Sequence, residues 1–216
     1  MKKVLLCLIL TFYNFDIMLN FEKKGNGKET LVLLHGFMEN TTIWEEMEAH
    51  LSKDFTLIKI DLPGHGKSKV YQEIHTVELM AEKVKEVIDA LKLEKINLLG
   101  HSLGGYVSLA FAENFPEILE SMTLFFSTTL ADDQEKKAIR RRSIAVIDEN
   151  FETFVKTSIP NLFSNNEKDI LEGKIELAKK IAKSTNKEGV KAAQLGMAER
   201  PNRTEILETL DTKILI

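Results

Sequence analysis

Short apolar runs alternate with helical patterns along most of this chain. Leu31–Leu34 (LVLL) is apolar at every position, as in a parallel strand buried on both faces. An earlier strand is expected at Leu19–Glu22. Thr42 and Glu45 stand at capping-box spacing, which predicts a helix running from there to about Leu51. Phe55–Ile60 reads as the next buried strand, ending at Asp61 and the turn-rich stretch Leu62–Ser68. Val77, Met80, Ala81, Val84, Val87, Ile88 and Leu91 then recur at i, i+3, i+4 and i+7, one apolar stripe of a helix. Ile96–Leu99 predicts a strand, residues 103–114 a helix stopped by Pro116, and Met122–Phe126 a further strand. Such alternation predicts an α/β fold: a parallel sheet with flanking helices and right-handed crossovers.

After Ser127 the rhythm changes. Residues 131–208 carry no strand pattern, and the segments around 135–156, 167–183 and 187–199 read as helices. An ordinary connection takes about 2–6 residues, so this stretch is a helical insertion over the sheet or a separate helical module. Thr212–Ile216 (TKILI) looks like the start of another core strand. The expected organisation is a core over 1–130, a helical cap insertion over 131–208, and a returning strand in 209–216. At the other end, Lys2 and Lys3 precede the apolar run Val4–Phe12, imitating a secretory signal. The run falls short of the roughly 20 residues a membrane span needs, and no small-x-small cleavage site follows it. A first strand or an upstream extension is the expectation, with a cytoplasmic location favoured over secretion.

Composition narrows the function classes. The 216 residues are 44% hydrophobic and 29% charged, with a net charge of -4. Lys and Arg are spread along the chain, against the gathered basic face that nucleic acid requires. Arg140–Arg142, the one compact basic run, reads as a solvated helix face. A single cysteine, Cys7, allows no intrachain disulfide, and no CxxC or Cys/His cluster suggests a structural zinc. No cofactor is expected. Gly64–Ser68 (GHGKS) imitates a P-loop, but Asp61 stands where that loop needs glycine, and Pro63 opposes a phosphate cradle.

The chemistry lies in Gly100-His101-Ser102-Leu103-Gly104, a G-x-S-x-G pattern placed directly between a buried strand and a helix. A sharp strand-to-helix turn there would strain the serine backbone and lift its hydroxyl clear of the sheet. Gly100 and Gly104 would remove the Cβ atoms that clash where strand and helix approach. The new helix would aim its N-terminal N–H groups at developing negative charge. His35-Gly36-Phe37 leaves the first buried strand at the same, carboxyl edge of the sheet, where ligand crevices form. The N–H groups of Phe37 and Leu103 would together hold an oxyanion. The plainer alternatives are a tight turn containing serine and a glycine turn leaving a strand.

With HGF at 35–37, DLPGHGKS at 61–68 and GHSLGG at 100–105, in that order, the chain resembles the α/β-hydrolase superfamily, in its helical-cap, serine-nucleophile branch. The resemblance covers roughly residues 19–216. It implies a small-molecule acyl substrate of ester or thioester type, and a Ser…Asp…His order with the histidine near the C-terminus. No histidine follows His101. His35 and His101 belong to the motifs, and the His101 ring should point away from the Ser102 hydroxyl. His50 lies near a helix end, and His65 and His75 are weak candidates for the base. Asp132 and Asp133 follow the Met122–Phe126 strand, where the resemblance implies that a few members carry the acid, but they read first as surface residues opening the insertion; Asp211 stands at the wrong end of its strand. The expectation is therefore a C-terminally truncated chain, inactive alone, with acid and base beyond Ile216. Phe151, Phe154, Ile159, Leu162 and Phe163 either face an apolar acyl group or pack the insertion down. Carbon–carbon bond hydrolases and lyases share these motifs, and a binding protein that lost turnover would keep the elbow.

Overall fold

The computed structural model describes residues 18–216; the run Val4–Phe12 and Cys7 lie outside them. Six strands form one sheet in the order β1-β3-β2-β4-β5-β6. They are β1 (Phe21–Lys24), β2 (Glu29–Leu34), β3 (Phe55–Ile60), β4 (Ile96–His101), β5 (Leu119–Phe125) and β6 (Lys213–Leu215). β2 to β6 run parallel. β1 corrects the all-parallel expectation, because it pairs antiparallel with β3, Phe21 opposite Ile60. An apolar pattern specifies burial and not direction, and an antiparallel edge on a parallel sheet is a common arrangement.

The unbroken LVLL run follows from two covered faces. Leu31, Leu33 and Leu57 pack with Trp44, against the side carrying α1 (Glu45–Leu51). Val32, Leu34, Ile58 and Ile60 face the larger core with α2 (Val77–Ala90) and α3 (Leu103–Asn114). Six residues of the α2 stripe, Val77, Met80, Ala81, Val84, Val87 and Ile88, have 0% exposure; the seventh, Leu91, is the C-cap and packs half-buried on the same core. Burying each of the larger ones contributes roughly 1.5–3 kcal/mol. Thr76 caps this helix by accepting the Leu79 N–H at 3.1 Å.

The expected capping box at Thr42 does not form. Asn40 is the cap, its Oδ1 accepting from Thr42 N at 3.0 Å, and the first turn, Thr41–Trp44, is a 3₁₀ turn before α1 begins. Asn serves this role as well as Ser or Thr, and here it stands two residues earlier.

The helical segment comprises α4 (Gln134–Ser158), α5 (Glu172–Ser184) and α6 (Lys187–Glu199). α4 is two helices joined at Asn150, whose φ of -155° and ψ of 89° are not helical; its Oδ1 recaps the second half at Thr153 N. Ile147, Phe154, Val155, Ile159, Ala182 and Val190 form a second core with Met38. Phe37 packs against both cores. The helices therefore rest on the loop that leaves β2. Phe154 and Ile159 are buried in this second core, and Phe151 and Phe163 pack against it, so packing is what these four do; Leu162 is exposed. α6 also reaches the main core through Ala193 and Met197, and Ala192 O accepts the His75 N–H at 3.0 Å. A short helix, α7 (Ile206–Thr209), then packs Ile206 and Leu207 on the main core. Among the described residues no helix is long and apolar enough to cross a membrane.

Candidate active site

Strand order places a crevice. β2 and β4 are neighbours, while the chain between them visits β3 on the far side of β2. Connections thus leave in opposite directions at the carboxyl ends of β2 and β4, the position where open α/β sheets bind ligands. Leu34 pairs with Gly100 there, so His35-Gly36-Phe37 and His101-Ser102-Leu103 emerge side by side.

Ser102 has φ 49° and ψ -110°, between the end of β4 and the first residue of α3. A serine in this region is held against its own preference, and the hold is visible. Ser102 N donates to Phe125 O at 3.0 Å, and Ser102 O accepts from Ser127 Oγ at 2.9 Å and Gly105 N at 2.9 Å. The glycines are required by contact. A Cβ on Gly104 would overlap the Leu34 carbonyl oxygen, and one on Gly100 the Gly104 carbonyl, both backbone atoms unable to swing aside. Ser102 Oγ makes no hydrogen bond to any described residue, and Ser102 is half-buried. Leu103 opens α3, so its N–H has no carbonyl one turn earlier. The Phe37 N–H likewise donates to no described residue. A loop N–H after β2 and a helix N-terminal N–H after β4 thus remain unbonded to described residues, on loops that leave neighbouring strands.

The histidines divide cleanly. His35 Nδ1 donates to Gly36 O at 2.7 Å while its Nε2 accepts the Leu62 N–H at 2.9 Å, so both nitrogens are committed to joining two loops. His65 Nδ1 donates to Pro63 O at 3.0 Å; its Nε2 is buried without a hydrogen-bond partner. His75 Nδ1 donates to Pro63 O at 3.2 Å and its Nε2 accepts from Tyr71 N at 3.1 Å. The sequence leaves His65 and His75 open as bases, and the fold uses both to brace the loop after β3. Asp61 organises the same loop, accepting from Thr41 N at 2.9 Å, Lys67 N at 3.0 Å and Asn20 Nδ2 at 2.8 Å. His50 is exposed in the last turn of α1.

Burial lowers the pKa of His35 and His75, and pushes His65 from 6.5 down to about 3 with His35 adding to the effect. The unfolded chain therefore binds more protons than the folded one below pH 6.5. These groups leave stability intact above that value and erode it as pH falls toward 3. With a folded value of about 3, His65 should cost about 1.4 kcal/mol of stability at pH 5.5, and His35 and His75 act in the same direction. Urea unfolding at pH 7.5 and 5.5 checks this, and an unchanged midpoint would contradict it.

His101 turns toward Glu39, its Nδ1 donating to Glu39 Oε2 at 2.9 Å. Its ring also meets Phe125 and Phe126, with centroids at 5.6 and 6.4 Å. Phe126 has φ 46° and is 81% exposed, a bulky aromatic held in the left-handed region beside the elbow. Sequence reasoning missed Glu39, Phe125, Phe126 and Ser127, since no local pattern marks them.

Asp132 also departs from expectation. It is buried, its Oδ1 accepting from Arg200 Nη2 at 2.8 Å and its Oδ2 from Arg140 Nε. These bonds hold its carboxyl below the usual range, against the opposing effect of burial. Both oxygens are engaged, so Asp132 is not positioned to orient a histidine. Arg140 is correspondingly not part of a solvated face, although Arg141 and Arg142 are exposed. Asp133 caps α4 by accepting the Lys136 N–H at 2.7 Å.

Three comparisons with known proteins bear on this site. Residues 29–171 match the family described as alpha/beta hydrolase fold. Among solved structures, a thermophilic esterase from Thermogutta terrifontis superposes with a TM-score of 0.86 and 34% identity, over 91% of this chain and 72% of that one. An enol-lactonase from Burkholderia xenovorans gives 0.82 at 20% identity, over 91% and 75%, and carries the fold alone. In sequence, the 2-hydroxy-6-oxononadienedioate/2-hydroxy-6-oxononatrienedioate hydrolase of Escherichia coli is 36% identical over 111 residues. An uncharacterized protein of Mycobacterium tuberculosis is 35% identical over 104 residues. These matches span 38% and 30% of those two relatives and about half of this chain.

Proposed function

This chain belongs to the alpha/beta hydrolase fold family, and from that premise we propose that it is a serine hydrolase of small ester- or thioester-type acyl substrates. One observation carries the reading: Ser102, strained at φ 49° between β4 and α3, opens beside the β2 loop at the crevice of the sheet. Its Oγ attacks the acyl carbonyl carbon. The carbonyl oxygen becomes the oxyanion and is held by the N–H groups of Phe37 and Leu103, with the N-terminus of α3 adding a favourable dipole. Such donors matter most where charge develops; losing one typically costs about 10²–10³ in rate.

The Ser102 proton must pass to a base. His35 and His75 have both ring nitrogens bonded, and the His65 pKa of about 3 makes it a poor acceptor at neutral pH. His101 serves Glu39. The reading assigns the base to none of these four.

The likeness to the Thermogutta terrifontis esterase supports ester substrates. A second reading, carbon–carbon bond hydrolysis, is favoured by the 36% identity to the Escherichia coli hydrolase. Labelling with a fluorophosphonate probe, followed by peptide mapping, tests the nucleophile in the protein expressed from its whole reading frame. Label on Ser102 is the expected result. Absence of label there removes the proposal. Parallel assays with p-nitrophenyl acetate and a vinylogous 1,5-diketone separate the two substrate classes.

A further inference from the structure

Glu39 is an acidic side chain in a crevice built for negative charge, and the reaction above has no use for it. Its Oε2 accepts the Gly36 N–H at 2.6 Å and the His101 Nδ1–H at 2.9 Å, while its own N–H returns to Gly36 O at 3.3 Å. One carboxylate oxygen therefore joins the first turn after β2 to the last residue of β4, across 62 positions of sequence. The joint is close-packed. A Cβ on Gly36 would stand 2.7 Å from Glu39 Oε2 and 2.8 Å from His101 Nδ1, so a larger residue here would push this pair of side chains aside. Phe125 and Phe126 flank the His101 ring and limit its swing.

We propose that Glu39, acting through His101 and the Gly36 amide, is a positioning residue that sets the gap between the Phe37 N–H and the Leu103 N–H. The inference rests on the serine reading of the site. Phe37 follows Gly36 directly, and Leu103 follows His101 by two residues, so the carboxylate anchors each donor's loop within two residues of the donor. Both anchoring bonds go to a carboxylate, the stronger class of hydrogen bond. By occupying the Gly36 N–H, Glu39 also leaves Phe37 as the free donor of that turn. Its role shows in the transition state, where donor placement matters, rather than in substrate binding.

The test compares wild type, Glu39→Ala and Glu39→Gln, each expressed from the whole reading frame. Turnover of p-nitrophenyl acetate and the rate of fluorophosphonate labelling are read beside thermal melts. Displaced oxyanion donors should lower kcat by about 10- to 100-fold in Glu39→Ala, with KM within about twofold of wild type. Glu39→Gln keeps the volume and one acceptor oxygen, and should recover part of the rate. The inference is overturned if Glu39→Ala keeps kcat within about twofold of wild type, or raises KM alone. It is equally overturned if the rate loss disappears once rates are divided by the folded fraction from the melts. A wild type that carries no label at Ser102 overturns the serine reading and this inference together. A labelled wild type beside an unaffected Glu39→Ala overturns the inference alone.

Discussion

Ser102→Ala should reduce ester hydrolysis by at least about 10³-fold and leave thermal stability nearly unchanged. The two halves of this expectation have separate causes. The hydroxyl is the only group removed, and it makes no hydrogen bond to a described residue, so truncation orphans no partner. The backbone bonds to Phe125, Ser127 and Gly105 that hold the elbow do not involve it. Alanine at φ 49° bears the same strain as serine, and the fold carries it in both proteins. Stability should therefore stay within about 0.5 kcal/mol. Rate falls because attack by Oγ is lost, and only oxyanion binding and substrate placement remain, worth about 10³–10⁴ over water in a well-studied serine protease. Steady-state kinetics beside a thermal melt separate the effects. A loss under about tenfold would move the nucleophile elsewhere.

The largest stability effect is expected at Asp132. Its side chain is 2% exposed, and Arg200 beside it is 5% exposed. Arg200 also donates to Met197 O at 2.8 Å and Leu130 O at 3.1 Å, and its guanidinium lies 3.9 Å from the centre of the Tyr106 ring. Asp132→Ala leaves that guanidinium buried without its counter-charge, which typically costs about 3–5 kcal/mol. For a chain of this size the melting temperature should fall by roughly 10 °C. Arg141 and Glu199 provide the contrast, since that pair is about half exposed (54% and 52%). Exposed pairs are worth about 0–1 kcal/mol, so Glu199→Ala should be close to neutral. Urea unfolding of both variants tests the comparison, and equal losses would refute it. The Asp132 cluster joins the chain after β5 to α4 and to the residue after α6, so its failure loosens the helical segment before the sheet.

The elements legible in the sequence are those with a local cause. Phe55–Ile60 is β3 as its pattern predicts, and the α2 stripe matches the buried face at every position but Leu91, which is the half-buried C-cap. Edges held by long-range pairing are less well placed. β5 begins at Leu119, three residues before its apolar run suggests, because pairing to β4 extends it past Ser121. The first strand likewise begins at Phe21 and not Leu19; Leu19 is buried in the core ahead of it.

The elbow shows where that boundary lies within the site itself. That Ser102 would stand strained between strand and helix is readable from the five residues and their flanking strand and helix patterns; Gly100 is demanded locally, by the Gly104 carbonyl, whereas Gly104 answers to Leu34 on the neighbouring strand. Whether a histidine there is base, brace or anchor depends on what stands opposite it. His75 is settled by Pro63, His101 by Glu39, and Asp132 by Arg140 and Arg200. Periodicity and backbone strain act between neighbours and leave a trace in sequence. Charge pairing and burial act between residues far apart in sequence, 68 positions for Asp132 and Arg200, and they exist only once the chain has closed.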